Sequence, residues 1–378
     1  MKSSKINHYI DVFKLNKKLS NKKVFFFFPF YHIGGAERVH IDILKVFKDY
    51  QIVCIITNQS QNNYFYEEFI SNSEVIEIEK YKNKYIHKYI NHIINKINNT
   101  PNSIVFGCNS GLFYNSIPQF NSNVKVIDLI HAFSYEEPNA AEKFSLPFVE
   151  RINNRIILGK KTYSDFENLY LENNIDLKNL NKIKIIKNKV DVPKEFPLKP
   201  NNKNLKILFV GRNSYEKRPE IFFKIAQKSL DLNLCVEFTI IGDFEKNLKV
   251  PKNVSIEGLI QDENLLNSFY LNADVLLITS SREGFPMVIL ESMAFGVVPI
   301  TTDVGEINEF INSNNQNGFL IKNNSNEEQI IDDFIKTIKQ LLNNNILLKE
   351  IQLNAYTTIA NNYKTEVFTR EYKNLFIN

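Results

Sequence analysis

Residues 274–301 constrain the fold of this chain more than any other stretch. Asp274–Thr279 is an apolar run typical of a buried strand, and Met287–Phe295 has the composition of a helix. Pro286 suits the first turn of that helix, because its missing N–H costs nothing there. Gly296 ends the helix, and the apolar residues after it predict another strand. The segment therefore predicts strand, loop, helix and strand, which is α/β architecture.

Two carboxylates lie in this segment, Glu283 in the loop and Glu291 about one turn into the helix. A helix start offers free N–H groups and a positive dipole end, which suit a phosphate. Gly284 lets the backbone approach a ligand closely. The carboxylates suit hydroxyls, so the combination favours a nucleotide sugar. The alternative is a solvated loop glutamate and a helix glutamate paired with a lysine, the usual interpretation of an isolated pair.

The complete run resembles a known donor-site signature. Gly-Phe-Pro follows Glu283, seven residues separate it from Glu291, and Ser-Met-Ala-Phe-Gly follows the second glutamate. This pattern is similar to that of the family 4 retaining glycosyltransferases. The resemblance covers roughly residues 24–375 and is strongest over 205–321. It implies the α/β GT-B fold, with two Rossmann-like domains whose parallel sheets face across a cleft.

The second predicted domain opens with the strand Leu205–Arg212 and continues through Lys217 to a helix from Pro219. The resemblance makes Arg212 and Lys217 a matched pair that reaches the donor pyrophosphate. Two fixed cations can neutralise the charge that develops on a diphosphate leaving group. The chain has no Asp-x-Asp triplet to hold a divalent ion, so we expect neither a metal nor another cofactor. The alternative is a solvated basic turn.

The first predicted domain opens with the strand Lys23–Phe30 and a loop that contains Gly34 and Gly35, followed by a helix. The family often has this Gly-Gly loop near the donor phosphate or the acceptor, although a tight turn also requires glycine. The strand Val124–Ile130 ends at His131, where open α/β sheets place ligand groups. The resemblance implies that His131 contacts the donor sugar; the alternative is a structural histidine.

Further elements follow from apolar patterning. Strands are predicted at Gln51–Thr57, Glu74–Ile78, Ser103–Gly107, Arg155–Leu158, Lys182–Ile186, Cys235–Asp243 and Asn253–Glu257. A helix over Lys82–Asn98 carries an apolar stripe opposite the lysines 82, 84, 88 and 96. It can pack on the sheet or lie on a membrane surface.

The proline-containing segment Val192–Asn204 predicts an interdomain linker. We therefore expect an N-terminal domain, on the acceptor side, over residues 1–195, joined by the last helix at about 364–378. The C-terminal domain, on the nucleotide-sugar side, is expected over 205–363.

Composition limits the setting of the protein. Three distant cysteines fit no metal or redox spacing, and the lysine-rich start lacks the apolar centre of a secretory signal. We expect a cytoplasmic protein. Residues 1–200 hold 28 Lys and Arg against 20 Asp and Glu, whereas residues 201–378 hold 18 against 22. The basic first half fits peripheral contact with an anionic membrane face or an acidic acceptor, although ordinary charge scatter gives the same balance. No nucleic-acid partner is expected.

The predicted activity is transfer of a sugar, with retention, from a nucleotide sugar to a hydroxyl of a glycan or lipid-linked acceptor. We expect a UDP-linked donor and a role in cell-envelope polysaccharide synthesis, both from the resemblance. The predicted catalytic residues are Glu283, His131, Lys217 and Arg212. The predicted donor-binding residues are Gly34, Gly35, Arg212, Lys217, Gly284, Phe285, Pro286, Met287 and Glu291. Two other possibilities are a non-catalytic nucleotide-sugar-binding subunit and a nucleotide-sugar epimerase of the same fold.

Overall fold

The computed structural model describes residues 2–81, 85–135, 137, 140–200, 202–312, 314, 316–324 and 326–377. Within them the chain forms two compact units. The first comprises Met1–Lys187 with Phe368–Asn378, and the second comprises Asn188–Val367.

One parallel sheet forms the centre of the first unit, with strand order β3-β2-β1-β4-β5-β6-β7. The strands are β1 Val24–Phe28, β2 Ile52–Ile56, β3 Glu74–Glu77, β4 Ile104–Cys108, β5 Lys125–Leu129, β6 Asn154–Ile157 and β7 Ile183–Ile185. Their helices are α1 Lys2–Leu19, α2 Gly35–Val46, α3 Tyr66–Asn72, α4 Ile86–Asn98, α5 Gly111–Ser116, α6 Ala141–Phe144 and α7 Lys160–Glu172. The strand order reverses between β1 and β4, and open α/β sheets bind ligands at the carboxyl ends of strands beside such a reversal.

A second parallel sheet, in the order β10-β9-β8-β11-β12-β13, forms the centre of the second unit. Its strands are β8 Leu205–Val210, β9 Val236–Ile241, β10 Val254–Gly258, β11 Val275–Ile278, β12 Val298–Thr302 and β13 Phe319–Ile321. Its helices are α8 Pro219–Asp231, α9 Glu263–Asn272, α10 Met287–Ala294, α11 Glu327–Leu342 and α12 Asn345–Asn362. The reversal here lies between β8 and β11. The predicted α/β class, with two Rossmann-like domains built on parallel sheets, is confirmed.

Short 3-10 helices complete the described elements at Ile78–Tyr81, Ile117–Gln119, Leu146–Arg151, Leu177–Lys182, Tyr215–Lys217 and Ile307–Glu309. The last α-helix, α13 Thr365–Ile377, contributes its final residues to the first unit. There the Leu375 carbonyl accepts a hydrogen bond from Lys125 Nζ at 2.7 Å, and Phe376 packs on Phe47 with ring centroids 4.1 Å apart.

The apolar stripe of α4 lies in the core of the first unit. Tyr89, Ile93 and Ile97 are buried together with Leu15 and Leu19 of α1, a helix that the sequence analysis did not predict. Tyr89 also donates from its hydroxyl to Asp11. The prediction of a helix packed on the domain core is therefore confirmed for α4, which starts later than expected. Lys82 and Lys84 of the predicted basic face lie outside the described residues.

The predicted linker packs with the second unit. The Pro193 carbonyl accepts from the Tyr356 hydroxyl at 2.8 Å, and Lys199 Nζ donates to the Tyr270 carbonyl at 2.8 Å. The second compact unit begins at Asn188, whereas the first domain was expected to extend to residue 195.

Among the described helices, none is long and apolar enough to cross a membrane.

Candidate functional site

The loops that follow β8 and β11, at the strand reversal of the second unit, carry the two predicted cations and the predicted carboxylate. Arg212 and Lys217 follow β8, and Glu283 follows β11. β8 and β11 are paired in the sheet, so their carboxyl ends lie side by side. Connections at this point leave a crevice between the loops, because successive helices pack on opposite faces of the sheet.

Lys217 and Glu283 form an ion pair across this crevice. Lys217 Nζ lies 2.6 Å from Glu283 Oε1, with 20% and 7% of the two side chains exposed. The buried Ser280 hydroxyl donates to the same oxygen at 2.5 Å. One carboxylate oxygen thus accepts two hydrogen bonds, one of them charge-assisted, which fixes the orientation of the group.

Arg218 joins the two loops through their backbones. Its Nε donates to the Thr279 carbonyl at 2.6 Å and its Nη2 donates to the Ser280 carbonyl at 3.0 Å. In return, Thr279 Oγ1 donates to the Lys217 carbonyl at 2.9 Å. Arg218 has a left-handed φ of 48°, which costs a non-glycine residue about 1–2 kcal/mol. These hydrogen bonds offset that cost and hold Lys217 beside Glu283.

Gly305 supports the other side of the Glu283 loop. It has φ +61°, and a Cβ atom built on it would lie 2.1 Å from the Glu283 carbonyl oxygen and 2.8 Å from that of Gly284. The neighbouring Glu306 N–H donates to the Gly284 carbonyl at 3.1 Å. Only glycine fits so close an approach of two backbones at positive φ.

The helix α10 starts directly after this loop. The helix begins at Met287, so Pro286 is its N-cap residue. The sequence had predicted Pro286 in the first turn, one residue further along the helix. Phe285 is buried against Phe310, with ring centroids 5.1 Å apart, and Asn188 Nδ2 contacts Met287 Sδ at 3.4 Å. The first N–H groups of a helix lack intrahelical acceptors and can bind an anion.

The predicted end of α10 is confirmed. Gly296 has φ +67°, its N–H donates to the Met293 carbonyl at 2.9 Å, and the Val297 N–H donates to the Ser292 carbonyl at 3.1 Å. This pair of bonds is a Schellman motif, which requires a left-handed residue and so favours glycine.

Glu291 lies on α10 next to α9. Its Oε2 accepts a hydrogen bond from the Tyr270 hydroxyl at 3.1 Å. Burial, with the carboxylate second, raises the pKa of Tyr270 well above its ordinary value, so this phenol stays protonated and donates. The carboxylate is therefore held by a fully buried neighbour.

Arg212 lies at the surface. Its side chain is 73% exposed and its Nη2 lies 3.2 Å from Glu216 Oε1. The structure therefore brings Lys217 and Glu283 together in one group, whereas Arg212 is paired within its own loop.

In the first unit, the Gly-Gly loop leads into α2. Gly34 is the N-cap residue with extended backbone, φ 177°, and α2 begins at Gly35. A Cβ atom on Gly34 would meet Glu37 Oε2 at 2.1 Å, so its glycine leaves room for that carboxylate. Glu37 is buried and lies 3.7 Å from His32 Nε2.

His131 follows β5 and is in contact with His40 of α2. The two Nε2 atoms are 3.0 Å apart, and the His40 ring stacks on Phe28 with centroids 4.0 Å apart and planes 6° from parallel. Desolvation lowers the pKa of His131 to about 4 and that of His40 well below its ordinary value, where the nearby His131 contributes second. Ligand atoms of these histidines and of Cys108, at the end of β4, lie within 4.8 Å of one another.

Several residues of these groups were not predicted from sequence. Arg218 and His40 gave no signal beyond their residue types, since each acts through a partner distant in the chain. The partner of Ser280 is Glu283, three positions away, but the sequence does not show that this hydroxyl points to that carboxylate. Gly305 was not predicted either, because its close approach to the Glu283 loop is a contact between distant parts of the chain. A polar residue inside an apolar helix, as His40 is, could have marked a buried contact.

Comparison with known proteins gives a family match that lies within the second unit. The family model described as glycosyl transferases group 1 matches residues 193–358. An O-antigen biosynthesis glycosyltransferase of Escherichia coli, WbnH, is 32% identical over 143 residues, which are 35% of this chain and 40% of that protein.

A second Escherichia coli relative is a UDP-Gal:alpha-D-GlcNAc-diphosphoundecaprenol alpha-1,3-galactosyltransferase. It is 26% identical over 220 residues, 52% of this chain and 54% of that protein. The matches thus span about half the length of these curated relatives or less.

Solved structures match almost the whole chain. Anabaena Alr3699/HepE in complex with UDP gives a TM-score of 0.73 at 16% identity, covering 94% of this chain and all of that one. The pneumococcal O-GlcNAc transferase GtfA in complex with UDP and GlcNAc gives a TM-score of 0.73 at 13% identity, covering 94% and 99%. At these identities the likeness concerns the fold, and the fold is that of GT-B glycosyltransferases.

Proposed function

We propose that this chain is a retaining glycosyltransferase that moves a sugar from a UDP-linked donor to a hydroxyl of a glycan or lipid-linked acceptor. The observation that carries the proposal is the Lys217–Glu283 pair, with Ser280, at the strand reversal of the second unit and beside the start of α10. A cation, a carboxylate and free helix N–H groups match a ligand that has both a diphosphate and sugar hydroxyls.

The diphosphate is assigned to the start of α10. The N–H groups of Phe285 and Met287 and the ammonium of Lys217 bind its oxygens, and Arg212 turns from Glu216 to add a second cation. These charges stabilise the departing nucleoside diphosphate. When a diphosphate oxygen also binds the ammonium of Lys217, Glu283 keeps its hydrogen bond from Ser280 and faces the donor sugar.

The two carboxylates have separate roles in this proposal. Glu291, held by Tyr270, accepts hydrogen bonds from the ribose diol. Glu283 orients the sugar hydroxyls and stabilises positive charge at the anomeric carbon in the transition state. Gly284 leaves space for close approach of the ligand to the backbone. In the first unit, we assign donor contacts to Gly34, Gly35 and His131.

The donor nucleotide and the pathway are supported by relatives. UDP occurs in the name of the second Escherichia coli relative and in the descriptions of both solved structures above. By name, WbnH acts in O-antigen synthesis, and the second relative acts on a diphosphoundecaprenol-linked acceptor. We infer a UDP-sugar donor and cell-envelope polysaccharide synthesis for this chain.

Metal independence is part of the proposal. Lys217 and Arg212 supply the positive charge that a divalent ion would otherwise bring to the diphosphate. Transfer should therefore continue at an unchanged rate in excess EDTA. A complete loss that Mg²⁺ or Mn²⁺ restores would contradict this part alone.

The first experiment is a thermal-shift panel with UDP, GDP, ADP and their common sugars. A ligand that binds only the folded chain raises the free energy of unfolding, by ~2.7 kcal/mol at one hundred times its Kd, and Tm rises as a result. We expect UDP and UDP-sugars to raise Tm, with a smaller shift in Glu291→Ala and an unchanged shift in the surface variant Lys224→Ala. No shift with any nucleotide would overturn the donor site.

Product analysis then separates the activities. Transfer to an acceptor with an α-linked product from an α-linked donor supports a retaining transferase. A changed nucleotide sugar without any acceptor supports the epimerase. Binding without turnover across donors and acceptors supports a non-catalytic subunit.

Peripheral membrane contact is a second part of the proposal. Tyr9, Ile10 and Phe13 on α1 are 73%, 46% and 72% exposed, and Lys14 and Lys17 nearby are exposed as well. Exposed aromatic side chains beside lysines suit the interface of an anionic bilayer.

Vesicle flotation tests this surface. The chain should float with phosphatidylglycerol vesicles and remain unbound with phosphatidylcholine, and the double change of Tyr9 and Phe13 to Ser should reduce flotation. Ile346→Ser removes an exposed apolar side chain from α12 and is the control. Equal flotation of both variants would contradict a contact through α1.

A further inference from the structure

We propose that His40 fixes the tautomer of His131, so that His131 has its proton on Nδ1 and acts as a hydrogen-bond donor and not as a base. His40 is thus a positioning residue. The role of the resulting N–H toward the donor sugar rests on the proposed function, whereas the tautomer itself does not.

The contact between the two rings requires one shared proton. Their Nε2 atoms are 3.0 Å apart, which is hydrogen-bond distance, so one Nε2 carries hydrogen and the other accepts. Burial lowers the pKa of both histidines, so both rings are neutral near pH 7 and each has a single N–H. Two arrangements satisfy these conditions.

The surroundings of His40 decide between them. Its Nδ1 is buried without a hydrogen-bond partner in the described part of the chain. If His131 donated, neutral His40 would have its proton on Nδ1, as a buried N–H with no acceptor. If His40 donates from Nε2, its Nδ1 keeps only an unpaired acceptor. In protein backbones a buried N–H without an acceptor is rarer than a buried acceptor that lacks a donor, and the same preference, applied to the imidazole, favours the second arrangement.

The packing of His40 keeps this contact in place. Its ring is fully buried and stacks in parallel on Phe28 at the end of β1, while α2 anchors its backbone. His131, by contrast, is only partly buried. Because its Nε2 accepts from His40, its Nδ1–H is the group that His131 can offer to an oxygen of a ligand. The partner of one ring nitrogen sets the tautomer of the other.

Cys108 provides the competing interpretation. Its sulfur and the two imidazoles are close enough to hold one metal ion. Without a bound ion, burial raises the pKa of the Cys108 thiol well above its ordinary value, with Glu37 and Asp128 contributing less, so the sulfur is protonated. In this metal-free state the 3.0 Å contact between the two Nε2 atoms is a hydrogen bond, and a bound metal ion is the alternative that the experiment tests.

Nitrogen-15 NMR of the histidine-labelled full chain tests the proposal without a donor. Two-bond correlations distinguish protonated from unprotonated ring nitrogens, and His40→Gln and His131→Gln assign the two rings. We expect protonated Nδ1 in His131 and protonated Nε2 in His40. A protonated Nε2 in His131, or signals that EDTA shifts and Zn²⁺ restores, would overturn the proposal.

A matched pair of variants tests causation. His40→Gln keeps an N–H donor at a similar distance and should preserve the His131 tautomer. His40→Phe keeps the stacking on Phe28 but removes the donor, so His131 should change to a mixture or to Nε2–H. An unchanged tautomer in folded His40→Phe would show that His40 does not set it. If that variant does not fold, the wild-type spectrum still decides. Inactivity with the expected tautomer would count against the proposed function only.

Discussion

Lys217 Nζ lies 2.6 Å from Glu283 Oε1, although 66 positions separate the residues in the chain. Both follow central strands of the same parallel sheet, and Arg218 and Thr279 tie their loops together. The pair is therefore built by the fold and is little exposed, unlike an ordinary surface ion pair.

Removing either member of this pair should strongly reduce transfer. Lys217→Ala and Glu283→Ala each remove a contact assigned to the transition state, typically ~2.7–4 kcal/mol, so kcat should fall by about 100- to 1,000-fold. Steady-state kinetics on purified protein measures this. Lys224→Ala, which breaks an exposed ion pair with Glu327, should keep full activity. Near-normal turnover of either site variant would refute the assignment.

Ser280 should matter through the orientation of Glu283. Ser280→Ala removes a neutral donor from the carboxylate and leaves the Lys217 contact, at a cost of about 1 kcal/mol. We expect kcat to fall by about five- to tenfold, with nucleotide affinity and Tm nearly unchanged. Ser281→Ala is the neighbouring control. A lower UDP affinity without a change in kcat would mean that Ser280 serves binding instead.

Glu291 should act on nucleotide binding and on stability. Glu291→Ala removes the ribose contact and leaves the buried Tyr270 hydroxyl unpaired, which costs about 1–3 kcal/mol of folding free energy. Calorimetry should show weaker UDP binding, and Tm should fall. The double variant Glu291→Ala with Tyr270→Phe should recover Tm but not affinity. Unchanged UDP affinity in both variants would exclude the ribose role.

Gly305 should tolerate no side chain. In Gly305→Ala the new Cβ meets the Glu283 carbonyl at 2.1 Å, so the loop must move or the backbone must leave φ +61°. We expect a loss of about 2 kcal/mol or more in unfolding free energy, together with lower activity. Gly111→Ala is the control, because no atom lies within 4 Å of its added Cβ. Equal Tm values for the two variants would contradict this packing.

The sequence predicted most strands and the helices nearest the site. The continuous apolar runs of β1 and β11 mark strands buried on both faces, and Gly296 marks the end of α10. It did not predict α1 or α3, which lack strong apolar patterning; α1 is mainly polar and contributes Leu15 and Leu19 to the core.

Local sequence thus determined the elements, the two glutamates and the cations, because periodicity and turn residues act over a few positions. The tertiary structure decided which of them meet. Lys217 reaches Glu283 because β8 and β11 are neighbours, and His40 of α2 meets His131, 91 positions away, after the end of β5. The tertiary structure also separated Arg212, which pairs with Glu216, from the Lys217–Glu283 pair. Strand order and helix packing are long-range properties, and no short motif encodes them.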